Sequence, residues 1–244
     1  MVYKLRHFNI LSIRQWYTNN IGVETMVDYS GNMENLYRKI KEEIINQNLK
    51  PGTRLPEREL AEKYNVSRTP IRQVLQQLSS DGLVEFTPYK GAFIKDLTIE
   101  EFKDITQLRM VLEKLAVEMC CESNDEDVVK SLEEIIEKQK NAILNNDVKE
   151  YSQLDQEFHY SIVNGSTNCE LKNIIETLNQ KAYLSRVRTL SLPGQMERSL
   201  REHQEILNCI MRKDKECAGN KASAHVKEAL QNYIDVHNIM AYFK

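Results

Sequence analysis

The 244-residue sequence contains no run of 18 apolar residues, so no segment reads as a membrane-spanning helix. Its opening stretch, MVYKLRHFNILSIRQWYTNN, lacks the continuous apolar region and the small-residue cleavage site of a secretory signal. Cysteine is scarce. The five present (Cys120, Cys121, Cys169, Cys209 and Cys217) are odd in number and form no C-x-x-C pair, which fits a reduced, cytosolic protein better than a disulfide framework. Each reads as a small buried hydrophobe. Catalytic signatures are also missing: there is no H-E-x-x-H, no spare pair of carboxylates and no nucleophile motif, so the chain is not read as an enzyme.

What is present is an ordinary globular composition, 41% hydrophobic and 28% charged, at a length that suggests two domains. The net charge of −3 conceals an asymmetry. Residues 33–95 carry 11 basic against 8 acidic side chains, whereas residues 96–244 carry 19 against 26. A mildly basic module followed by an acidic one suggests a reader of polyanions joined to a second unit.

Residues 1–32 show no sustained period and end at Ser30-Gly31-Asn32, so they read as a poorly ordered or accessory extension. From Asn35 to about Asn48, Leu36, Ile40, Ile44 and Ile45 fall on one helical face, and Pro51-Gly52 marks a turn. Pro56 opens a short helix with Leu60, Ala61 and Tyr64, and Ser67 is placed to cap a second helix that runs to about Ser80. LVEF and AFIK then read as two strands joined by TPYKG. This order predicts a winged helix-turn-helix over 33–96. The second helix of the turn buries Ile71, Val74, Leu75 and Leu78, and offers Ser67, Arg68, Thr69, Arg72, Gln73 and Gln76 on the other side. No acidic residue occurs from Asn65 to Ser80, so this face, about 20 Å long at 1.5 Å per residue, suits a DNA major groove.

Residues 97–244 contain no strand signal and divide into six helical stretches with short connections. Thr98 caps the first, where Phe102, Ile105, Leu108, Leu112 and Leu115 repeat at helical spacing. The others run from Asn124 to about Asn145, Asp147 to Val163, Cys169 to Leu190, Gln195 to Arg212 and Lys215 to His237. The fold expected is therefore mainly α: a winged helix-turn-helix with a small β-hairpin, then an antiparallel bundle.

LPERELAEKYNVSRTPIRQVLQQLSSDGLV followed by YKGAFI resembles the DNA-binding domain of the GntR family of bacterial transcription regulators, from about Leu36 to Ile94. LRMVLEKLAVE, DQEFHYSIVNGSTN, EHQEIL and AHV resemble the all-helical ligand-binding domain of its FadR subfamily. The resemblance implies a homodimer that binds a palindromic double-stranded operator and responds to a small metabolite. It also implies DNA contacts from Arg58, Arg68, Arg72, Lys90 and Gly91.

Three of the five histidines remain to be placed. Asp155 and His159 lie four residues apart on one helical face, and His203 and His225 sit on the fifth and sixth bundle helices. Together they suit one divalent ion per subunit, zinc first, then nickel, manganese or iron. These are also positions that members of the resembled subfamily use for metal. Open coordination positions would favour an organic-acid effector, for which Arg109 and Arg186 (or Arg188) offer a guanidinium. A metal-sensing regulator without an organic effector is the alternative, with a metal-dependent enzyme fused to a DNA-binding domain as a weaker one.

Overall fold

In the computed structural model, residues 24–45, 51–123 and 125–242 are described. Helix α1 (Glu24–Ile45) is longer than its periodicity suggested, since Ser30-Gly31-Asn32 lies inside it. A glycine within a helix costs only about 1 kcal/mol relative to alanine, too little to stop a helix anchored by a buried face. Leu36, Ile40 and Ile44 supply that face. Residues 1–23, most of the expected extension, and the expected helix end near Asn48 lie outside the described residues.

After α1 come β1 (Arg54–Leu55), α2 (Glu57–Tyr64), α3 (Arg68–Ser80), β2 (Val84–Thr87) and β3 (Gly91–Ile94). The wing is thus a three-stranded antiparallel sheet in the order β1-β3-β2, not a two-stranded hairpin. Two-residue β1 is too short to show alternation, but Arg54 pairs with Phe93 and Leu55 with Ala92. Asn65 ends α2 in the left-handed region (φ 53°), which its short polar side chain tolerates. Ser67 takes the extended N-cap conformation ahead of α3, although its hydroxyl makes no cap hydrogen bond. Ile71, Val74, Leu75 and Leu78 of α3 are fully buried with Ile40, Ile44 and Ile94.

The bundle consists of α4 (Ile99–Ser123), α5 (Glu126–Leu144), α6 (Val148–Gly165), α7 (Cys169–Leu190), α8 (Gln195–Met211) and α9 (Lys215–Tyr242). Helix starts are set by capping side chains. Thr98 and Glu101 form a reciprocal box, Thr98 N donating to Glu101 Oε2 (2.9 Å) and Glu101 N to Thr98 Oγ1 (3.2 Å). Asp125, rather than Asn124, caps α5, and Asp147 and Asn168 cap α6 and α7. Helix α9 packs along α4, α5 against α6 and α8, and α6 against α7. The joint to the winged domain is α7, whose Tyr183 and Val187 are buried in the winged domain's own hydrophobic cluster.

Two expectations are corrected here. The α4 stripe is only half core: Phe102 and Ile105 are buried, but Leu108 and Leu115 are 55% and 42% exposed, and Val111 beside them is 69% exposed. Helical spacing identifies a shared face but not what covers it. In addition, Cys209 and Cys217 are joined by a disulfide, with Cα atoms 5.8 Å apart. The intervening turn explains the meeting. Lys213 adopts φ +57°, and Lys213 N→Ile210 O (2.8 Å) and Asp214 N→Cys209 O (3.0 Å) reverse the chain, so the last turn of α8 faces the first of α9.

Leu75 is 0% exposed at the centre of the winged domain. Leu75→Ala should therefore cost about 2–5 kcal/mol of stability, read as a lower urea midpoint at unchanged slope.

Candidate functional site

The winged domain presents its recognition helix as the sequence implied. Ser67, Arg68, Thr69, Arg72, Gln73 and Gln76 are all exposed along α3. The electrostatics are less simple, because the acid-free stretch does not make an acid-free surface. Glu57, at the start of α2, accepts two hydrogen bonds from Arg72, Nε to Oε1 (2.9 Å) and Nη2 to Oε2 (2.8 Å). The Arg72 fork holds the Glu57 carboxyl below its ordinary range. Arg58, on α2, is exposed and pairs with Glu62 one turn along (2.9 Å). Lys90 and Gly91 stand exposed at the wing tip, and Gly91 has φ +97° with open space where a Cβ would project. Beside them Tyr89 is fully exposed with φ +63°. The reading of TPYKG passed over Tyr89, yet an aromatic at a turn tip was the available signal.

In the bundle, Asp155 and His159 on α6, His203 on α8 and His225 on α9 do converge: one donor atom from each lies within 4.8 Å of every other. Each histidine is oriented by an acceptor on its Nδ1. His159 Nδ1 faces Glu113 Oε2 of α4 at 2.8 Å, His203 Nδ1 faces Gln139 Oε1 of α5 at 3.0 Å, and His225 Nδ1 faces Glu202 Oε2 of α8 at 2.6 Å. With the proton fixed on Nδ1, each Nε2 keeps its lone pair for the centre of the cluster. Phe158 stacks on the His203 ring, centroids 4.0 Å apart, and locks its plane.

The centre is electrostatically unfinished. His225 Nε2 and His159 Nε2 stand 3.2 Å apart, and two lone pairs at that distance repel without a cation between them. His203 Nε2, 3.5 Å from Asp155 Oδ1, is buried with no hydrogen-bond partner, as is Asp155 Oδ2. Arg186 Nη1 lies 3.1 Å from Asp155 Oδ2, close enough for charge pairing but not aligned as a hydrogen bond. Protonation states match a cation site. Burial opposes the Asp155 charge, but the Arg186 guanidinium outweighs it and holds the carboxyl well below the usual carboxylate range. Burial, ahead of the neighbouring His225, pushes His203 well below the usual imidazole value, and burial also lowers His159 against the pull of Glu113. Neutral imidazoles and an ionised carboxylate are the forms that bind divalent ions. The donor set fits the metal expected of it.

The two arginines expected to face a ligand are both at this site but already paired. Arg109 is buried and bonds Glu113 one turn along (2.7 Å), and Arg186 pairs with Asp155 and donates to Asn179 (3.2 Å). Both line a cavity of about 40 Å³ with Ser199, Thr189, His225 and Asn232. Arg188 instead pairs with Asp96 at the winged-domain junction (2.8 Å). Glu113, Gln139 and Glu202 were missed in the sequence. Only Glu202, adjacent to His203, and Glu113, four residues after Arg109, carried a local hint.

A winged helix-turn-helix with an exposed recognition helix, followed by a helical domain with a buried donor cluster, defines a DNA-binding transcriptional regulator with an effector-binding domain. Residues 32–94 match the model of bacterial regulatory proteins of the gntR family, and residues 104–228 match that of the FCD domain. The chain belongs to the GntR family, in its FCD-containing form. It is 35% identical over 190 residues to the uncharacterized HTH-type transcriptional regulator YdhC of Bacillus subtilis, covering 78% of this chain and 85% of that one. It is 26% identical over 198 residues to the HTH-type transcriptional repressor RspR of Escherichia coli, covering 80% and 86%. Its fold matches solved E. coli McbR/YncC with a TM-score of 0.72 at 22% identity, over 86% of this chain and 98% of that one. The two sequence relatives are named as transcriptional regulators, not as enzymes.

Glu113 is 4% exposed and compensates the buried Arg109 charge. Glu113→Ala should destabilise the protein by about 3–5 kcal/mol by leaving that charge unpaired, as read by chemical denaturation.

Proposed function

We propose that this chain is a homodimeric, cytoplasmic regulator of the FadR subfamily whose operator binding is tuned by a divalent ion and a small organic acid in the helical domain. The observation that carries the metal reading is the trio of oriented Nε2 atoms around Asp155, two of them 3.2 Å apart. Asp155, His159, His203 and His225 would hold the ion; the donors suit zinc first, with nickel, manganese or iron as substitutes. When bound, the ion would supply a positive centre with coordination positions open to oxygen ligands. His203→Ala should lose the ion while the winged domain stays folded. The test is metal content by mass spectrometry on untagged protein after dialysis against zinc, nickel and manganese. Empty wild type after every loading would refute the reading.

Charge balance supports an acidic effector. The buried polar core already sets two carboxylates, Asp155 and Glu113, against two guanidiniums, Arg109 and Arg186. Glu202 at His225 adds a third carboxylate, so a divalent ion leaves the site with one positive charge in excess, which an anionic ligand offsets. The cavity of about 40 Å³ limits that acid to a few heavy atoms in this conformation. Metal alone changing operator affinity as far as metal plus acid would favour metal sensing without an organic effector.

For DNA, Arg58, Ser67, Arg68, Thr69, Arg72, Lys90 and Gly91 form the contact surface, with Arg68 and Arg72 one turn apart on α3. Arg72 must exchange Glu57 for DNA, so Arg68 is the cleaner probe. Arg68→Ala should weaken binding to a duplex selected in vitro by the wild-type protein by about 1–3 kcal/mol, in a fluorescence anisotropy titration.

One recognition helix covers one half-site, so a palindromic operator calls for a two-fold dimer. The uncovered Leu108, Val111 and Leu115 stripe on α4 supports a self-complementary contact there. Val111→Glu should shift the mass in light scattering from dimer toward the 28.5 kDa monomer.

A further inference from the structure

We propose that Cys209 and Cys217 are a reversible redox site, and that their disulfide clamps the α8–α9 hairpin and slows metal loss from it. The second half rests on the metal reading above; the first does not. The pair is made by the fold. The three-residue turn at 212–214 sets the two Cα atoms 5.8 Å apart, within the range that a disulfide bridges. Asp214 Oδ1 accepts from Cys217 N (3.0 Å) and fixes the start of α9.

The two sulfurs are not equivalent. Cys217 is partly exposed and open to an oxidant, while Cys209 is buried at 6% exposure and placed to resolve. Other thiols compete poorly. Burial pushes Cys120 up to about 12 and Cys121 up to about 11, which keeps both as unreactive thiols. Cys169 is a free, exposed cysteine at the start of α7.

With a hydroperoxide as oxidant, the Cys217 thiolate attacks one peroxide oxygen and the O–O bond breaks. The departing hydroxide takes a proton and leaves as water, and Cys217 becomes a sulfenic acid. The Cys209 sulfur then displaces the sulfenic oxygen, which leaves as a second water carrying the Cys209 proton. Two thiols and one hydrogen peroxide give one disulfide and two waters, the sulfurs losing the two electrons that the peroxide gains. A dithiol reductant reverses the change by exchange and becomes a disulfide itself. In a reducing compartment such a bond is transient, which is what a sensor requires.

The clamp bears on the metal site because it ties the two helices that carry His203 and His225. His203 lies six residues before Cys209 and His225 eight after Cys217, about 9 Å and about 12 Å along their helices. Between these points α8 and α9 are also linked by Lys221–Glu205 (2.7 Å), and beyond the histidines by Arg198–Glu228 (2.6 Å), ion pairs at the partly exposed surface. Such pairs break readily in water, whereas the covalent link does not.

The experiment uses the full-length protein. After treatment with hydrogen peroxide or with dithiothreitol, remaining thiols are alkylated and mapped by peptide mass spectrometry, with Cys169 as the standard that alkylates when reduced. A Cys209–Cys217 peptide that forms with peroxide and disappears with dithiothreitol is the expected result. Full alkylation of both after peroxide overturns the redox site. In parallel, zinc-loaded protein in each redox state is mixed with a chromophoric chelator. Because ion escape needs local opening of the hairpin, the oxidised form should release zinc about threefold more slowly, or slower still. Cys217→Ser should release at the reduced rate in both states. Equal rates in wild type overturn the clamp while leaving the redox site intact. Protein that binds no zinc in either state overturns the clamp together with the metal reading, while peptide mapping still decides the disulfide.

Discussion

The helical domain is organised around the placement of Asp155 beside Arg186, a carboxylate and a guanidinium both buried in the bundle core. An ionised carboxylate in such a place is costly unless it is paired. Arg186, with Nη1 3.1 Å from Asp155 Oδ2, offsets that cost, so Asp155 remains charged inside apolar surroundings. Glu113 repeats the arrangement one helix away with Arg109, and its second oxygen orients His159. Each of the three imidazoles thus has its direction set by an acceptor on another helix.

Arg186 also belongs to the helix that meets the DNA-binding module. On α7, Tyr183 and Val187 pack into the winged-domain core, and Arg188 reaches Asp96 at the junction, while Arg186 between them points to Asp155. Successive residues of one helix therefore face the ligand cavity and the recognition module. Anything that competes for Asp155 acts on a helix that the winged domain leans against.

Much of this was legible in the sequence, and the parts that were not share a cause. The α3 stripe, the Thr98 cap and the Asp155/His159 spacing are local patterns, and the structure keeps them, whereas Ser67 makes no cap hydrogen bond and Asp125 takes the place of Asn124. Convergence of His203 and His225 with that pair followed from placing each on an inward turn. What the chain could not disclose were encounters between segments far apart in sequence: Glu57 reaching Arg72, Gln139 supporting His203, and the exposure of Leu108 and Leu115. Two-residue β1 was invisible for a different reason, being too short to alternate. The meeting of Cys209 and Cys217 depended on the left-handed backbone at Lys213, a residue type that gives no warning of that conformation.

The sharing of α7 between two hydrophobic clusters has a consequence for how the molecule comes apart. A boundary drawn at residues 96 and 97 separates two sequence patterns but not two cores, because Tyr183 and Val187 are buried in the same hydrophobic cluster as the winged-domain side chains. Cutting the chain there would leave the winged part with an uncovered apolar hollow and the bundle with two protruding side chains, both prone to association. In the intact chain the same overlap ties the stability of the winged part to that of α7, so a change that loosens α7 also strips cover from the winged-domain core.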